Sequence, residues 1–173
     1  MKIVAFASAL VLGASIYGAA EAQTRRPATV NYGYVFAEYD YYSATGGSLN
    51  GGGVGAGWRL SRHLGIQAGG QYSRKSGVDF MNGYIEGLLI MPLGPRFALN
   101  ASIGGSYARA ETSVTLLTAP PVTVTASTSG GGYRAGVGAE YWFAPQWSLR
   151  AGWHRQNALG VADDISAGIA FRF

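Results

Sequence analysis

Glu38, Glu86 and Glu140, with Arg59, Arg134, Arg150, Arg172 and His154, carry most of the chemistry this sequence offers. Carboxylates and guanidiniums make charge-assisted hydrogen bonds to one another. A histidine oriented by an acid can also activate a serine for acyl transfer. The second chemistry needs a serine and an acid placed around His154. The first needs only that the charges share an enclosed space. The other histidine is His63, in a short turn, and the chain has no cysteine, so a zinc donor set is missing. Asp163 and Asp164 read as solvated loop acids that could also meet a cation at a surface. The glycine-rich run TGGSLNGGGVGAG lacks the Lys-Ser/Thr and helix of a phosphate loop. No catalytic set, metal site or cofactor is expected.

The elements that must position these charges alternate with period 2, the spacing of β-strands. In the second strand Val54, Ala56, Trp58 and Leu60 oppose glycines and Arg59. In the third, Leu64, Ile66, Ala68 and Tyr72 oppose Gln67, Gln71 and Ser73; in the fifth, Phe97, Leu99, Ala101, Ile103 and Tyr107 oppose Asn100, Ser102 and Ser106. The sixth sets Tyr133, Ala135, Val137, Ala139, Tyr141 and Phe143 against Arg134, Glu140 and Trp142. The seventh sets Trp147, Leu149, Ala151 and Trp153 against Ser148, Arg150 and His154, and the chain closes on SAGIAFRF. Two strands alternate less cleanly. Val30 to Tyr41 carries aromatics on both faces, and we place Val35, Ala37, Tyr39 and Tyr41 together, opposite Glu38. In Phe80 to Met91, Leu88 and Ile90 share the face of Glu86, and a bulge in either strand would shift its parity.

Short turns at Ser61-Arg62-His63, Pro92 to Arg96 and Ala144-Pro145-Gln146 alternate with four more polar connections. These are Ser43 to Ser48, Lys75 to Asp79, Ala110 to Ser129 and Asn157 to Asp164. That is the organisation of an up-and-down sheet. The face opposite the apolar one is mainly Gly, Ala, Ser, Asn and Gln, not the Lys, Glu and Asp of a water-facing sheet. Such residues suit the inside of a narrow tube, and apolar-out, polar-in alternation marks a transmembrane barrel. The aromatics give a second check. Tyr41, Tyr72, Tyr107, Tyr133 and Trp153 fall at one end of their strands, and Trp58, Phe97, Tyr141, Phe143, Trp147, Phe171 and Phe173 at the other. Two interfacial girdles follow from a single register. The expected fold is all-β: an eight-stranded antiparallel up-and-down transmembrane β-barrel. By parity the charged residues named at the outset point into its lumen as an ion-pair network, with Glu140 and Arg150 as one pair on adjacent strands.

On this pattern, and on its ending SAGIAFRF, the chain resembles small outer-membrane β-barrels of the OmpA/OmpX/Ail type, called porin-family or opacity-like proteins. The resemblance implies that the terminal strand is read by the barrel-assembly machinery, with Ile169, Phe171 and Phe173 as the signal. The peptidoglycan-binding domain that often follows an OmpA barrel has no counterpart here. The stretch HRQNALG resembles the histidine segment of eight-stranded lipid A deacylases, but Gln156 stands where that motif has its serine, and parity turns His154 away from the lipid. An enzyme is therefore not expected.

Residues 1–22 read as a secretory signal peptide, with Lys2, an apolar run and Ala20-Glu21-Ala22 as the cleavage site, leaving 23–173 as the barrel. The net charge of +4 is unaltered by losing Lys2 and Glu21, and the scattered basic residues give no nucleic-acid surface. The expected setting is the bacterial outer membrane, with lipid, lipopolysaccharide and the assembly machinery as partners. The connection Ala110 to Ser129 is uncharged after Glu111 and reads as a hairpin with Pro120-Pro121 at its tip. It is the expected contact surface for a protein partner. The expected function is structural support of the envelope with display of surface loops. The alternatives are a narrow solute channel and a lipid A-modifying enzyme.

Overall fold

A computed structural model describes residues 31–44, 47–75, 77–116 and 122–173; the leader read at 1–22 and the Pro120-Pro121 tip lie outside them. The strands are β1 Tyr32–Ala44, β2 Gly47–Arg59, β3 Leu64–Lys75, β4 Val78–Pro92, β5 Phe97–Leu116, β6 Val122–Trp142, β7 Trp147–Gln156 and β8 Ala162–Arg172. They form a closed antiparallel barrel in sequence order, sealed where β8 pairs with β1. Closure satisfies every edge of the ring, which a lipid environment requires. The end that carries Phe173 and the short turns after β2, β4 and β6 is called the turn end below, and the opposite end the hairpin end.

The ladders of β1 and β4 run without a break in register on both sides. No bulge shifts the parity of either strand, and both unclear faces have the same cause. Leu88 and Ile90 share the lumen with Glu86, and Tyr34 and Phe36 share it with Glu38. The bore is not uniformly small and polar: Tyr34, Phe36, Tyr84, Leu88, Ile90, Ala98 and Ala170 form a buried apolar cluster within it. The glycines on the inward face make room for these rings. A Cβ on Gly57 would lie 2.3 Å from Tyr34 Cζ, and one on Gly55 2.3 Å from Phe36 Cζ.

The outer wall carries the aliphatic side chains. Val54, Ile66, Ile85, Leu89, Val137, Leu149 and Ile165 are exposed, and Ile103 is exposed by 72%. A continuous apolar belt of this kind is unstable in water and is what a bilayer covers. Tyr41, Tyr72, Tyr107, Tyr133 and Trp153 face outward toward the hairpin end; Trp58, Phe97, Tyr141, Phe143 and Phe173 do so at the turn end.

The hairpin-end connections are shorter than their composition suggests. β3 and β4 are joined by residues 76–77, and β1 and β2 by residues 45–46. β8 starts at Ala162, so Asp163 and Asp164 belong to a strand, not to a loop. The β5–β6 hairpin, in contrast, is longer than the wall. β4 pairs with β5 only as far as Thr112, and β7 pairs with β6 only from Arg134, while the β5–β6 ladder continues to Leu116 and Val122.

Candidate functional site

Strand alternation delivers every lumen charge, and the register decides which of them meet. At the turn end an Arg59 guanidinium donates to Glu140, whose other oxygen accepts from Ser148 Oγ at 2.7 Å. Glu140 stands directly opposite Arg150 in the β6–β7 ladder, but the two are not bonded, which corrects the pairing expected from adjacency. Arg150 instead lies over the Phe36 ring, 4.4 Å from its centroid, and donates to Gln67 Oε1 at 2.8 Å. The reason is the aromatic filling of the bore, which offers a guanidinium a flat face to stack on. Arg172 sits at the turn-end mouth between Tyr32 and Trp142, 5.1 and 5.0 Å from their centroids.

The centre of the bore is organised by Arg134, which is fully buried. Its Nε donates to Glu86 Oε1 at 2.8 Å, Nη2 to Asp164 Oδ2 at 2.9 Å and Nη1 to Gln156 Oε1 at 3.2 Å, and its guanidinium lies 4.5 Å from the Tyr84 centroid. Glu86 accepts a second bond from Gln67 Nε2 at 2.9 Å, and Tyr84 donates to Glu38 Oε1 at 3.0 Å. His154 is 4.0 Å from Glu86 and 4.0 Å from Asp164. A buried guanidinium is tolerated because it is paired with two carboxylates and a carboxamide, and losing it leaves those carboxylates buried without a countercharge.

Toward the hairpin end Gln71 gathers a second group. Its Nε2 donates to Asp40 Oδ1 at 3.0 Å and Asp164 Oδ2 at 3.2 Å, while its Oε1 accepts from Tyr42 and from Asn82 Nδ2, the latter at 2.9 Å. Asn82 also donates to Gln156 Oε1 at 3.0 Å. Sequence reasoning placed none of Asp40, Gln67, Gln71, Asn82 and Gln156 in the charge network, and it read Asp164 as a loop acid. Parity from Glu38 reaches Asp40 within the strand read as Val30 to Tyr41, and parity from Ser166 reaches Asp164 once the last strand is extended by two residues.

Among the described residues, three further ion pairs lie on the outer wall. Arg74–Asp79 at 3.4 Å, Arg109–Glu111 at 2.5 Å and Arg155–Asp163 at 2.9 Å stand beside Tyr72, Tyr107 and Trp153 at the hairpin end. Gln156 is buried among Asn82 and Arg134, and His154 faces the bore, so the residues of HRQNALG do not assemble around a lipid-facing serine. His63 Nδ1 lies 3.1 Å from the Ile90 carbonyl oxygen in its turn. At the end of β8, Phe171 packs on Trp147 with centroids 4.9 Å apart, and the Phe173 amide donates to the Gly33 carbonyl at 3.1 Å. Ile169 is half-buried in the outer wall above them.

The projecting hairpin is held at its base by the loop after β7. Asn157 N donates to the Tyr133 carbonyl at 3.2 Å, and Tyr133 N donates to Asn157 Oδ1 at 2.8 Å. Beyond it, residues 123–129 are all exposed. No charged residue lies between Glu111 and Arg134.

Comparisons with known proteins agree with this architecture. The fold is similar to that of a major outer membrane protein from Thermus thermophilus, with a TM-score of 0.70, 14% identity and coverage of 83% of this chain and 99% of that one. It is similar to Ail, the attachment invasion locus protein of Yersinia pestis, with a TM-score of 0.61, 13% identity, and 83% and 97% coverage. Neisserial surface protein A aligns with a TM-score of 0.59, 19% identity, and 84% and 98% coverage. No curated protein matches the sequence. A family model, the outer membrane protein beta-barrel domain, matches residues 5–173, and the chain belongs to that family of outer-membrane barrels.

Proposed function

We propose that the protein is a non-enzymatic structural barrel that holds the β5–β6 hairpin above the membrane as a contact surface for a protein partner. The observation that supports this reading is the length mismatch. Residues 113–116 and 122–125 continue a paired ladder after both neighbouring strands have stopped, and residues 126–133 do so after β7 alone has stopped. Ser and Thr dominate the exposed positions, with Ser113 Oγ 3.2 Å from Thr125 Oγ1 across the hairpin. Thr and Val keep it extended, and an extended edge accepts a partner's strand through main-chain hydrogen bonds. The similar protein Ail is named for attachment and has been solved with the heparin analogue sucrose octasulfate. Here the hairpin's lack of charge favours a neutral peptide surface over a polyanion. Export through a cleaved leader and recognition of Ile169, Phe171 and Phe173 by the barrel-assembly machinery belong to the same reading.

The test is deletion of Ala110 to Ser129 with a short turn in its place. The deleted barrel should insert and keep its heat-modifiable gel mobility, while cell aggregation and adhesion fall to the level of cells without the protein. Unchanged adhesion with normal insertion removes the hairpin from the function.

A further inference from the structure

The two ends of the barrel balance their arginines differently. At the hairpin end Arg74, Arg109 and Arg155 are each in an ion pair with a carboxylate of the wall, that of Asp79, Glu111 or Asp163. At the turn end Arg62, in the turn after β2, and Arg96, in the turn after β4, are both exposed. Neither is in an ion pair among the described residues. No Asp or Glu side chain of the described residues is exposed at that end. Glu140, the acid of the turn-end lumen, is buried and bonded to Arg59 and Ser148. The terminal carboxylate at Phe173 pairs with neither arginine. The charge of Arg62 and Arg96 is therefore balanced from outside the chain.

Their setting says from where. Each arginine stands in the sequence between two exposed apolar side chains, Arg62 between Leu60 and Leu64 and Arg96 between Leu93 and Phe97. These four side chains continue the apolar belt and the girdle of Trp58, Tyr141 and Phe143 into the turns themselves. The turns are also held in place. Ser61 Oγ accepts from His63 N at 3.2 Å and Leu64 N at 3.0 Å, and Leu60 N donates to the Leu64 carbonyl at 3.0 Å. Leu93 N donates to the Phe97 carbonyl at 3.0 Å, and the Arg96 carbonyl accepts from Trp142 N at 2.8 Å. An arginine with such neighbours keeps its stem on apolar surface and its head at the level of the lipid phosphates. A water-soluble acidic partner would meet the guanidiniums alone. A lipid brings a phosphate to the arginine and an acyl chain to the leucines together.

We propose that Arg62 and Arg96 each hold the headgroup of an anionic phospholipid, of the phosphatidylglycerol class, in the leaflet at the turn end. A guanidinium presents its N–H groups as a fork that matches two phosphate oxygens. A zwitterionic lipid carries its own ammonium to the same place and leaves both arginines in excess, so the preference is for a net negative headgroup. A negatively charged leaflet attracts arginines at its surface in the same sense. The hairpin-end arginines are balanced within the protein, and the turn-end arginines are balanced by the membrane.

The experiment titrates the folded barrel in a neutral detergent with phosphatidylglycerol or with phosphatidylcholine and counts bound lipid by mass spectrometry of the intact complex. The expected result is two phosphatidylglycerol molecules retained at a concentration where phosphatidylcholine is not. Arg62→Gln and Arg96→Gln should each lose one of them, with binding at the altered turn weakened about fivefold. The double variant should bind phosphatidylglycerol no better than phosphatidylcholine. Arg62→Lys with Arg96→Lys keeps the charge and should keep the preference, and Arg109→Gln, at the hairpin end, should leave it unchanged. Heat-modifiable gel mobility checks that each variant is folded. Equal retention of the two lipids by the wild-type barrel overturns the proposal. So does an undiminished preference in the double glutamine variant, or displacement of the lipid by free glycerol phosphate, which would mark a site for a soluble anion.

Discussion

At the scale of the residue, Arg134 is where burial and charge are most tightly coupled. Removing it takes the charged donor from Glu86, Asp164 and Gln156 and leaves each with one neutral amide donor, from Gln67, Gln71 and Asn82. Arg134→Met keeps most of the volume and removes the charge. It is expected to cost about 3–5 kcal/mol, the range for stranding one side of a buried pair, measured by urea unfolding in lipid vesicles. Adding Glu86→Gln should recover part of that loss, because one stranded carboxylate is then neutral. A second residue-scale prediction concerns adjacent glycines. A Cβ on Gly104 would lie 1.9 Å from the Ile85 carbonyl oxygen, whereas one on Gly105 would meet only the Gly132 oxygen at 3.8 Å. Gly104→Ala should therefore destabilise by about 1–3 kcal/mol in the same assay and Gly105→Ala by far less. Parity in the sequence was enough to turn Arg134, Glu86 and His154 inward. It could not say that Arg59 reaches Glu140 while Arg150 stacks on Phe36, because that choice depends on how rings from β1 fill a space that closure alone defines.

At the scale of the element, the strands were legible wherever one face was clearly greasy, as in β2, β3, β5 and β7. The girdles followed from the same alternation, since Tyr72, Tyr107 and Trp153 share a face with Ile66, Ile103 and Leu149. β1 and β4 were harder to read for a physical reason. Their inward faces carry Tyr34, Phe36, Leu88 and Ile90, so both faces look apolar and alternation loses contrast. The hairpin-end loops were misjudged because Asp163, Asp164 and Asp79 have loop-like composition while sitting in strands. The wall also makes a quantitative prediction. Ile103 lies midway between Phe97 and Tyr107 on the outer face of β5, so it should sit near the centre of the bilayer. Ile103→Arg is expected to cost about 2–4 kcal/mol in vesicle-based unfolding. Ser127→Arg, on the exposed β6 hairpin beyond the last β7 partner, should be close to neutral. Equal costs at the two positions would contradict the placement of the membrane along β5.

At the scale of the whole molecule, the question is whether a closed barrel of this size is also a pore. Eight strands give an interior just wide enough for side chains to fill. Here it is filled twice over. The cluster of Tyr34, Phe36, Leu88 and Ile90 occupies it with carbon, and the chain of bonds from Asp40 through Gln71, Asp164, Arg134, Glu86 and Gln67 to Arg150 crosses it with fixed charge. An ion moving through would have to displace the rings and break the hydrogen bonds that cross the bore. Wild-type protein in a planar bilayer is therefore expected to give no steady conductance above the bare membrane. Tyr34→Ala with Phe36→Ala removes two rings, with the Tyr34–Gln67 bond and the stack under Arg150, but leaves the bonds of Arg134 to Glu86, Asp164 and Gln156, and should give at most small, brief openings. Adding Arg134→Ala to that pair removes the remaining obstruction and should produce resolvable channels, provided the triple variant still shows heat-modifiable mobility. Sustained wild-type conductance that the triple variant does not increase would show that ions pass by a route these side chains do not block. The reading of the bore as a structural plug would then fail, while the fold itself would stand.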